Sequence, residues 1–489
     1  MDASSEAESE TERRADEPRP RRRRARPERD DRREARPDER RDERREERRS
    51  RAGSTPSEGA LTADAIPLET RPGMPQPKVY PVNVLLEHID DDALKVIRRL
   101  RRHGHEAYLV GGGVRDLLLG VRPKDFDIAT SARPSEVRSL FRNCRVIGRR
   151  FRLAHILFAG GKIIEVATFR RDPLEAFDQV EGEFAEEMDA LEHPQARRRD
   201  DVDLLIRHDN VFGEPHEDAL RRDFTINGLF FDSESHSVID YVGGMTDIEG
   251  RVVRTIGAPD VRFREDPVRI LRAIKFSARL DLGIDPDVYD AMVAQRDELN
   301  RAAKPRLLEE VLRLLRGGAS HRSFWLLWET GCLGVLIPQL AMHLDDDSPS
   351  ARRLWARLDA IDALKKADSV PPDTVLFAAL MLGPLEEAIA MDRDPLGAYE
   401  QLMTEIAETL AVPRRMKERV RNMVYAQRRL ASGKIAGMTR RDYFDDAAIL
   451  FGIDCDARGL RRPEWLDHRE PSSEIDAEDA PRRRRRRRR

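Results

Sequence analysis

From about residue 107 to residue 264, short alternating apolar runs are interleaved with helical patterns; beyond Arg264 every apolar pattern recurs at the helical spacing. That change of period constrains the fold most, because it specifies a mixed α/β unit followed by an all-α half. A first helical pattern spans residues 91–103, with Leu94, Ile97 and Leu100 on one side and Gly104 as its stop. Strands are expected at 107–110 and 126–129, a helix at 134–141, and a hairpin pairing 152–158 with 163–169 across Gly160 and Gly161. Helices are expected in the second half at 267–280, 307–316, 324–329, 354–364, 402–410 and 416–430. Residues 172–207, acidic and then basic, read as a long surface loop inside the first unit.

The two ends supply no core. Residues 1–78 are Arg/Glu/Asp-rich and then a Pro/Gly/Ser-containing linker, without apolar periodicity, and are expected to be disordered. The ends also set the overall balance of 37% charged and 39% hydrophobic residues. The net charge of −3 hides runs of arginine at 21–24 and 482–489. Such runs suit a polyphosphate partner, a nucleic acid, through counterion release, and suit a solubilising tail equally by composition. Cys144, Cys332 and Cys455 lie in no paired spacing, so neither a disulfide framework nor a zinc site is expected. No apolar stretch approaches the roughly 20 residues needed to cross a bilayer. With a charged N-terminus, the cytoplasm is the expected location and no membrane the expected setting.

Several residues could carry chemistry. Gly111, Gly112 and Gly113 fall between a strand and a helix that opens with Val114 and Arg115, where backbone amides can face an anion; a tight turn alone would also explain the glycines. Asp125 and Asp127 are one residue apart on an expected strand, whose period of two puts both carboxylates on one face. A magnesium ion bound through both and through substrate phosphates would relieve their repulsion, although the same spacing occurs in surface loops. Glu165, among apolar neighbours on the second hairpin strand, is read as a buried carboxylate, either a third acid near the metals or an acceptor for a nearby arginine. Arg221, Arg222 and Asp223 precede Phe224, Thr225, Ile226 and Asn227, which puts cations and an acid next to a short apolar segment and fits a site or a surface ion pair. Asp266 and Pro267 suit a helix N-terminus, but capping does not need Arg269 and Arg272. An acid with an arginine can accept from the exocyclic amine of adenine or cytosine and donate to the adjacent ring nitrogen, a polarity that rejects guanine and uracil.

The stretch 108–130, YLVGGGVRDLLLGVRPKDFDIAT, resembles the head signature of the class II nucleotidyltransferases, the group containing tRNA CCA-adding enzymes and bacterial poly(A) polymerases. IIEVATFRR, RRDFTINGLFF, DYVGGMTDIEGRVVRTIG and REDPVRILRAIKFSARL follow in the family's order, so the similarity covers about residues 79–320 and, less distinctly, continues to about 430. Residues 141–155, FRNCRVIGRRFRLAH, resemble the poly(A) polymerase subgroup through their Gly-Arg-Arg-Phe element. No His-Asp pair of the phosphohydrolase type is spaced among the helices.

The resemblance implies an α+β polymerase-β-like head, an all-α neck and body, and disordered charged termini. The expected divisions are 1–78 for the disordered region and linker, 79–255 for the catalytic head, 256–318 for a neck that recognises the base, 319–460 for an RNA-binding body and 461–489 for the tail. It implies Asp125 and Asp127 as holders of Mg2+, Asp223 as the third active-site aspartate, Gly112 and Arg115 at the nucleotide phosphates, and Arg222, Arg269 and Arg272 at the nucleotide, with Asp266 and Arg269 selecting the base. The expected activity is template-independent addition of AMP from ATP to RNA 3′ ends with release of pyrophosphate, with RNA-degradation machinery a candidate partner. A tRNA nucleotidyltransferase adding C and A, or A alone, is the nearer alternative; a non-catalytic RNA-binding scaffold is the other. Within the body, residues 416–430 would face inward through Met416, Val420, Met423 and Val424, leaving Arg414, Lys417, Arg421 and Arg428 for RNA or for an ordinary charged surface.

Overall fold

A computed structural model describes residues 66–67, 76–82, 86–148, 152–171, 211–345 and 348–467. The expected loop at 172–207, the charged N-terminal residues 1–65, the Arg-rich end and Arg149 to Phe151 of the Gly-Arg-Arg-Phe element lie outside the described residues.

Nine strands form one mixed sheet: β1 (Ile66–Pro67), β2 (Lys78–Pro81), β3 (Ala107–Val110), β4 (Asp127–Thr130), β5 (Cys144–Ile147), β6 (Leu153–Leu157), β7 (Ile163–Thr168), β8 (Leu229–Asp232) and β9 (Ser237–Asp240). Their order is β1-β2-β9-β8-β3-β4-β7-β6-β5. All neighbours run antiparallel except β4 and β7. Alternation along the strands separates two apolar clusters. Leu109, Ile128, Ile156 and Val166 join the main core, and Val110, Ala129 and Phe230 a smaller one.

The helix Asp91–Arg102 starts where Asp90 accepts hydrogen bonds from the Asp92 and Ala93 amides, and it buries Ala93, Leu94, Val96, Ile97 and Leu100. It packs against β3 and β4. In the segment DYVGGM, the Asp240 carboxylate accepts from the amides of Val242, Gly243, Gly244 and Met245 at 2.8–3.1 Å, starting the helix Gly244–Glu249. A Cβ on Gly244 would lie 2.2 Å from the Thr225 carbonyl oxygen and 2.9 Å from Leu229 Cδ2. Gly244→Ala therefore lowers stability by about 1–3 kcal/mol through overpacking. Gly334→Ala is the control, because its Cβ meets nothing within 4 Å inside the helix Cys332–Leu336. Equilibrium denaturation shows a lower midpoint for the first and an unchanged or higher one for the second.

Beyond residue 264 the expected helices appear, mostly longer than their apolar patterns: Val268–Leu280, Lys304–Arg316, Ser320–Glu329, Pro349–Lys366, Pro395–Thr409 and Arg414–Ala431. Two further long helices, Asp373–Met391 and Phe444–Ala457, complete the packing. Asp373–Met391 corrects the expectation that no stretch is long and apolar enough to cross a membrane. Most of it is buried inside the protein, against Lys304–Arg316, Pro349–Lys366, Pro395–Thr409, Arg414–Ala431 and Phe444–Ala457. It is a core helix whose apolar surface is taken up by other helices. The inward residues expected for 416–430, Met416, Val420, Met423 and Val424, are buried.

Candidate active site

The site forms on the sheet face that carries the smaller apolar cluster. β4 begins at Asp127, one position later than expected, with Asp125 just before it; Phe126 is buried between them while both acids are exposed. In the register Asp127 stands beside Val110 of β3 and Glu165 of β7, and Glu165 stands opposite His155 of β6. Three neighbouring strands thus bring Asp127, Glu165 and His155 into one row, with His155 Nε2 at 3.3 Å from Glu165 Oε1. The Glu165 side chain is 48% exposed, which corrects the expectation of a buried carboxylate: it lies within the strand on the face opposite the buried Ile164 and Val166, beside another acid and away from the main core.

The glycine bend closes over the acids. Gly111 has φ +69°, a conformation glycine adopts without steric cost, and a Cβ there would lie 3.2 Å from Arg222 Nη1 and 4.0 Å from Asp127 Oδ2. A Cβ on Gly113 would lie 3.3 Å from the Asp125 carbonyl oxygen. The bend and the two-acid segment are therefore in direct proximity.

The cleft raises the Asp127 carboxyl pKa to about 6, first because surrounding protein strips away water, then because Glu165 and Asp125 add negative charge; Arg222 opposes the rise. The outward side of Asp127 keeps solvent access, which limits the desolvation. Among the described residues no group of three or more His, Cys, Asp or Glu side chains is arranged to hold a metal ion. The donor chemistry nevertheless suits magnesium, which takes one or two carboxylates and completes its shell with phosphates and water. An under-compensated acid pair is what such a cation would neutralise.

Arg222 faces this cluster because Asp218 holds it. Asp218 Oδ2 accepts from Arg222 Nη2 at 2.8 Å and Nε at 3.2 Å, and Oδ1 from Arg221 Nε and the Arg170 amide, each at 3.2 Å. Burial works to raise the Asp218 pKa, but Arg222 and Arg221 outweigh it and hold the carboxyl below its usual range. Asp218 is four residues before Arg222, a spacing that could have flagged it in the sequence.

Asp223, expected as the third active-site aspartate, is turned to other partners. Its Oδ2 accepts from Arg272 Nε at 2.6 Å and its Oδ1 from Asn227 Nδ2 and the Phe224 amide, each at 2.9 Å. Burial is outweighed by Arg272, Asn227 and Arg269, and the carboxyl lies well below the ordinary range. Arg115, expected at the phosphates, is only 3% exposed. It donates to Asp116 from Nε and Nη2 and to Asn227 Oδ1 from Nη1, at 2.9, 2.5 and 2.7 Å. Gly112 lies beside this guanidinium, its Cβ position 3.5 Å from Arg115 Nη2.

Asp266 and Arg269 are close in sequence but their side chains are bonded separately. Asp266 follows the short helix Pro259–Glu265 and also meets the start of the next one: its Oδ1 accepts from the Val268 amide at 3.4 Å and its carbonyl from the Arg269 amide at 3.0 Å, while its Oδ2 accepts from Arg306 at 2.8 Å. Arg269 donates from Nη1 to Glu265 Oε2 at 2.7 Å and to the Arg262 carbonyl at 2.9 Å. Glu265 and Arg306 therefore belong to this part of the site; Glu265 stands four residues before Arg269, a spacing that could have flagged it, whereas Arg306 is 40 residues from Asp266 and carried no such signal.

Similarity to known proteins follows these elements. A family model described as the poly A polymerase head domain matches residues 107–254, and one described as the probable RNA and SrmB-binding site of polymerase A matches residues 281–344. Poly(A) polymerase I of Escherichia coli O6:H1 is 38% identical over 426 residues, covering 82% of this chain and 88% of that protein. This chain belongs to the poly(A) polymerase family. The family also reaches the CCA-adding enzymes: that of Geobacillus thermodenitrificans is 37% identical over 249 residues, 51% of this chain and 55% of that protein. A solved CCA-adding enzyme without ligand shares the fold, with a TM-score of 0.55 at 20% identity, covering 78% of this chain and 85% of that one.

Proposed function

We propose that this chain adds AMP from ATP to RNA 3′ ends without a template. The observation that carries the reading is the extent of similarity: 82% of the chain aligns with a poly(A) polymerase I and 51% with the CCA-adding enzyme above, so the relation to the former reaches deep into the helical half. In this reading Asp125 and Asp127 hold Mg2+, and Mg2+ when bound supplies charge neutralisation on the triphosphate and a more acidic 3′-hydroxyl. The absence of a Cβ on Gly111 and Gly112 lets phosphates approach the backbone, and Arg222, braced by Asp218, offsets their charge. Glu165 adds a carboxylate at the edge of the acid row. Asp266 accepts from the exocyclic amine of adenine, and Arg269, braced by Glu265, donates to the neighbouring ring nitrogen. Asp223 anchors Arg272 beside them.

The test supplies single radiolabelled nucleotides to the purified chain with a generic RNA or with tRNA. Long tails from ATP on generic RNA are the expected product. Addition that stops after one to three nucleotides on tRNA would instead assign the chain to tRNA nucleotidyltransfer.

A further inference from the structure

Arg272 and Arg279 lie seven residues apart on the helix Val268–Leu280, about two turns, so both side chains leave the same side. Arg272 binds Asp223 Oδ2 at 2.6 Å, and Asp223 Oδ1 accepts from Asn227 Nδ2 at 2.9 Å. Asn227 Oδ1 accepts from Arg115 Nη1 at 2.7 Å, Arg115 binds Asp116, and Asp116 Oδ2 accepts from Arg279 Nη2 at 2.7 Å. The chain of contacts returns to the helix on which it began. Phe276 fills its centre, with the Arg115 and Arg272 guanidinium carbons 4.7 Å and 5.4 Å from the ring centroid and Phe224 edge-on at 5.6 Å.

We propose that Asn227 and Arg279 are positioning residues that close this ring and so hold the base-reading helix in register with the glycine bend and its acids. The inference rests on the nucleotide-transfer reading above. Helix Val268–Leu280 carries Arg269 in its first turn and begins one residue beyond Asp266, after Pro267, while Arg115 and Asp116 belong to the short helix Gly112–Leu118 that follows the bend. Asn227 suits the junction because an arginine only donates and a carboxylate only accepts, so a carboxamide can join them in one orientation. Aspartate at position 227 would confront Asp223 with a second negative charge. An aliphatic residue would leave buried groups on both sides without a partner. Asn227 is 5% exposed, and Asp116 6%.

The test compares wild type, Asn227→Ala, Arg279→Ala and the double variant as purified full chains, each assayed for AMP and CMP incorporation into a generic RNA. Asn227→Ala is expected to lower kcat by about 10²-fold, since misplacing groups by an ångström costs that much, and Arg279→Ala by about tenfold. KM for ATP changes less than kcat, and both variants lose part of the ATP-over-CTP preference, a ratio that a smaller folded fraction cannot move. The double variant falls little below Asn227→Ala, because either cut opens the same ring. An unchanged ratio, or a double loss equal to the product of the single losses, would overturn the proposal. Should Asn227→Ala fail to fold, Arg279→Ala carries the test alone: its side chain is 37% exposed, and wild-type kcat and preference in it would end the idea. Hydrogen exchange separates this inference from the activity it rests on. Amides at the start of Val268–Leu280 exchange faster in Arg279→Ala if the ring holds the helix, whether or not the wild type transfers AMP, and unchanged exchange counts against it.

Discussion

Asp127→Ala abolishes AMP incorporation, a loss on the order of 10³-fold or more, while RNA binding stays at the wild-type level. The magnitude follows from the several kcal/mol that metal ions contribute to a phosphoryl-transfer transition state, at about 1.4 kcal/mol per factor of ten. Asp127 is placed to matter because three elements meet at its carboxylate: Glu165 beside it in the register, the Gly111 bend 4.0 Å from its Oδ2 at the Cβ position, and Arg222 within reach of its charge. Stability moves the other way. The Asp127 carboxyl is pushed up to about 6 by lost solvation and by Glu165 and Asp125, so deleting it removes unfavourable charge and leaves the denaturation midpoint unchanged or higher. Nucleotide incorporation, RNA filter binding and thermal unfolding on the same preparation check all three statements. A variant retaining activity within tenfold of wild type would remove Asp127 from the metal role.

Asp218→Ala is expected to produce the largest loss of stability, about 3–5 kcal/mol, the usual cost of removing one partner from a buried ion pair. The Asp218 side chain is 4% exposed and serves Arg221, Arg222 and the Arg170 amide together, so four N–H groups on three residues lose this acceptor at once. AMP incorporation falls as well, because Arg222 loses the contacts that aim it at the acids. Asp218→Asn, which keeps shape and some hydrogen bonding, should lose less. The sign of the pH dependence is determined: the folded carboxyl titrates below its unfolded value, so its contribution is complete above about pH 4 and disappears as pH falls through the folded value. Denaturation curves across the acid range should therefore be shallower in pH for Asp218→Asn than for wild type. Parallel pH profiles would show that Asp218 contributes packing alone.

Much of the head was legible because its signals are local. Strand period, the glycine bend and the hairpin across Gly160 and Gly161 each lie within a few residues, and β3, β4, β6 and β7 stand where they were expected to within about two residues. The helix Asp373–Met391 was missed for a physical reason. It is buried on nearly every side from Val375 to Leu385, so it has no polar face and shows no helical period. Arg115 shows the same limit of local signals. An arginine after a glycine bend suggests phosphate from sequence alone; besides its neighbour Asp116 it holds Asn227, which lies 112 residues further along the chain.

The sequence by itself determined the residue types, their local spacing and the two-part fold, because secondary-structure period and metal-donor chemistry act over a few neighbouring positions. Only tertiary structure decided which charges face the cleft and which are consumed inside it. Glu165 came out beside Asp127 with half its side chain exposed, while Asp223 pairs with Arg272, 49 residues on, and Arg115, besides its neighbour Asp116, reaches Asn227, 112 residues on. A buried charge must find a compensating partner, and where that partner is remote in the chain, as Arg272 is from Asp223, it is chosen by distance in space, which spacing along the chain does not encode.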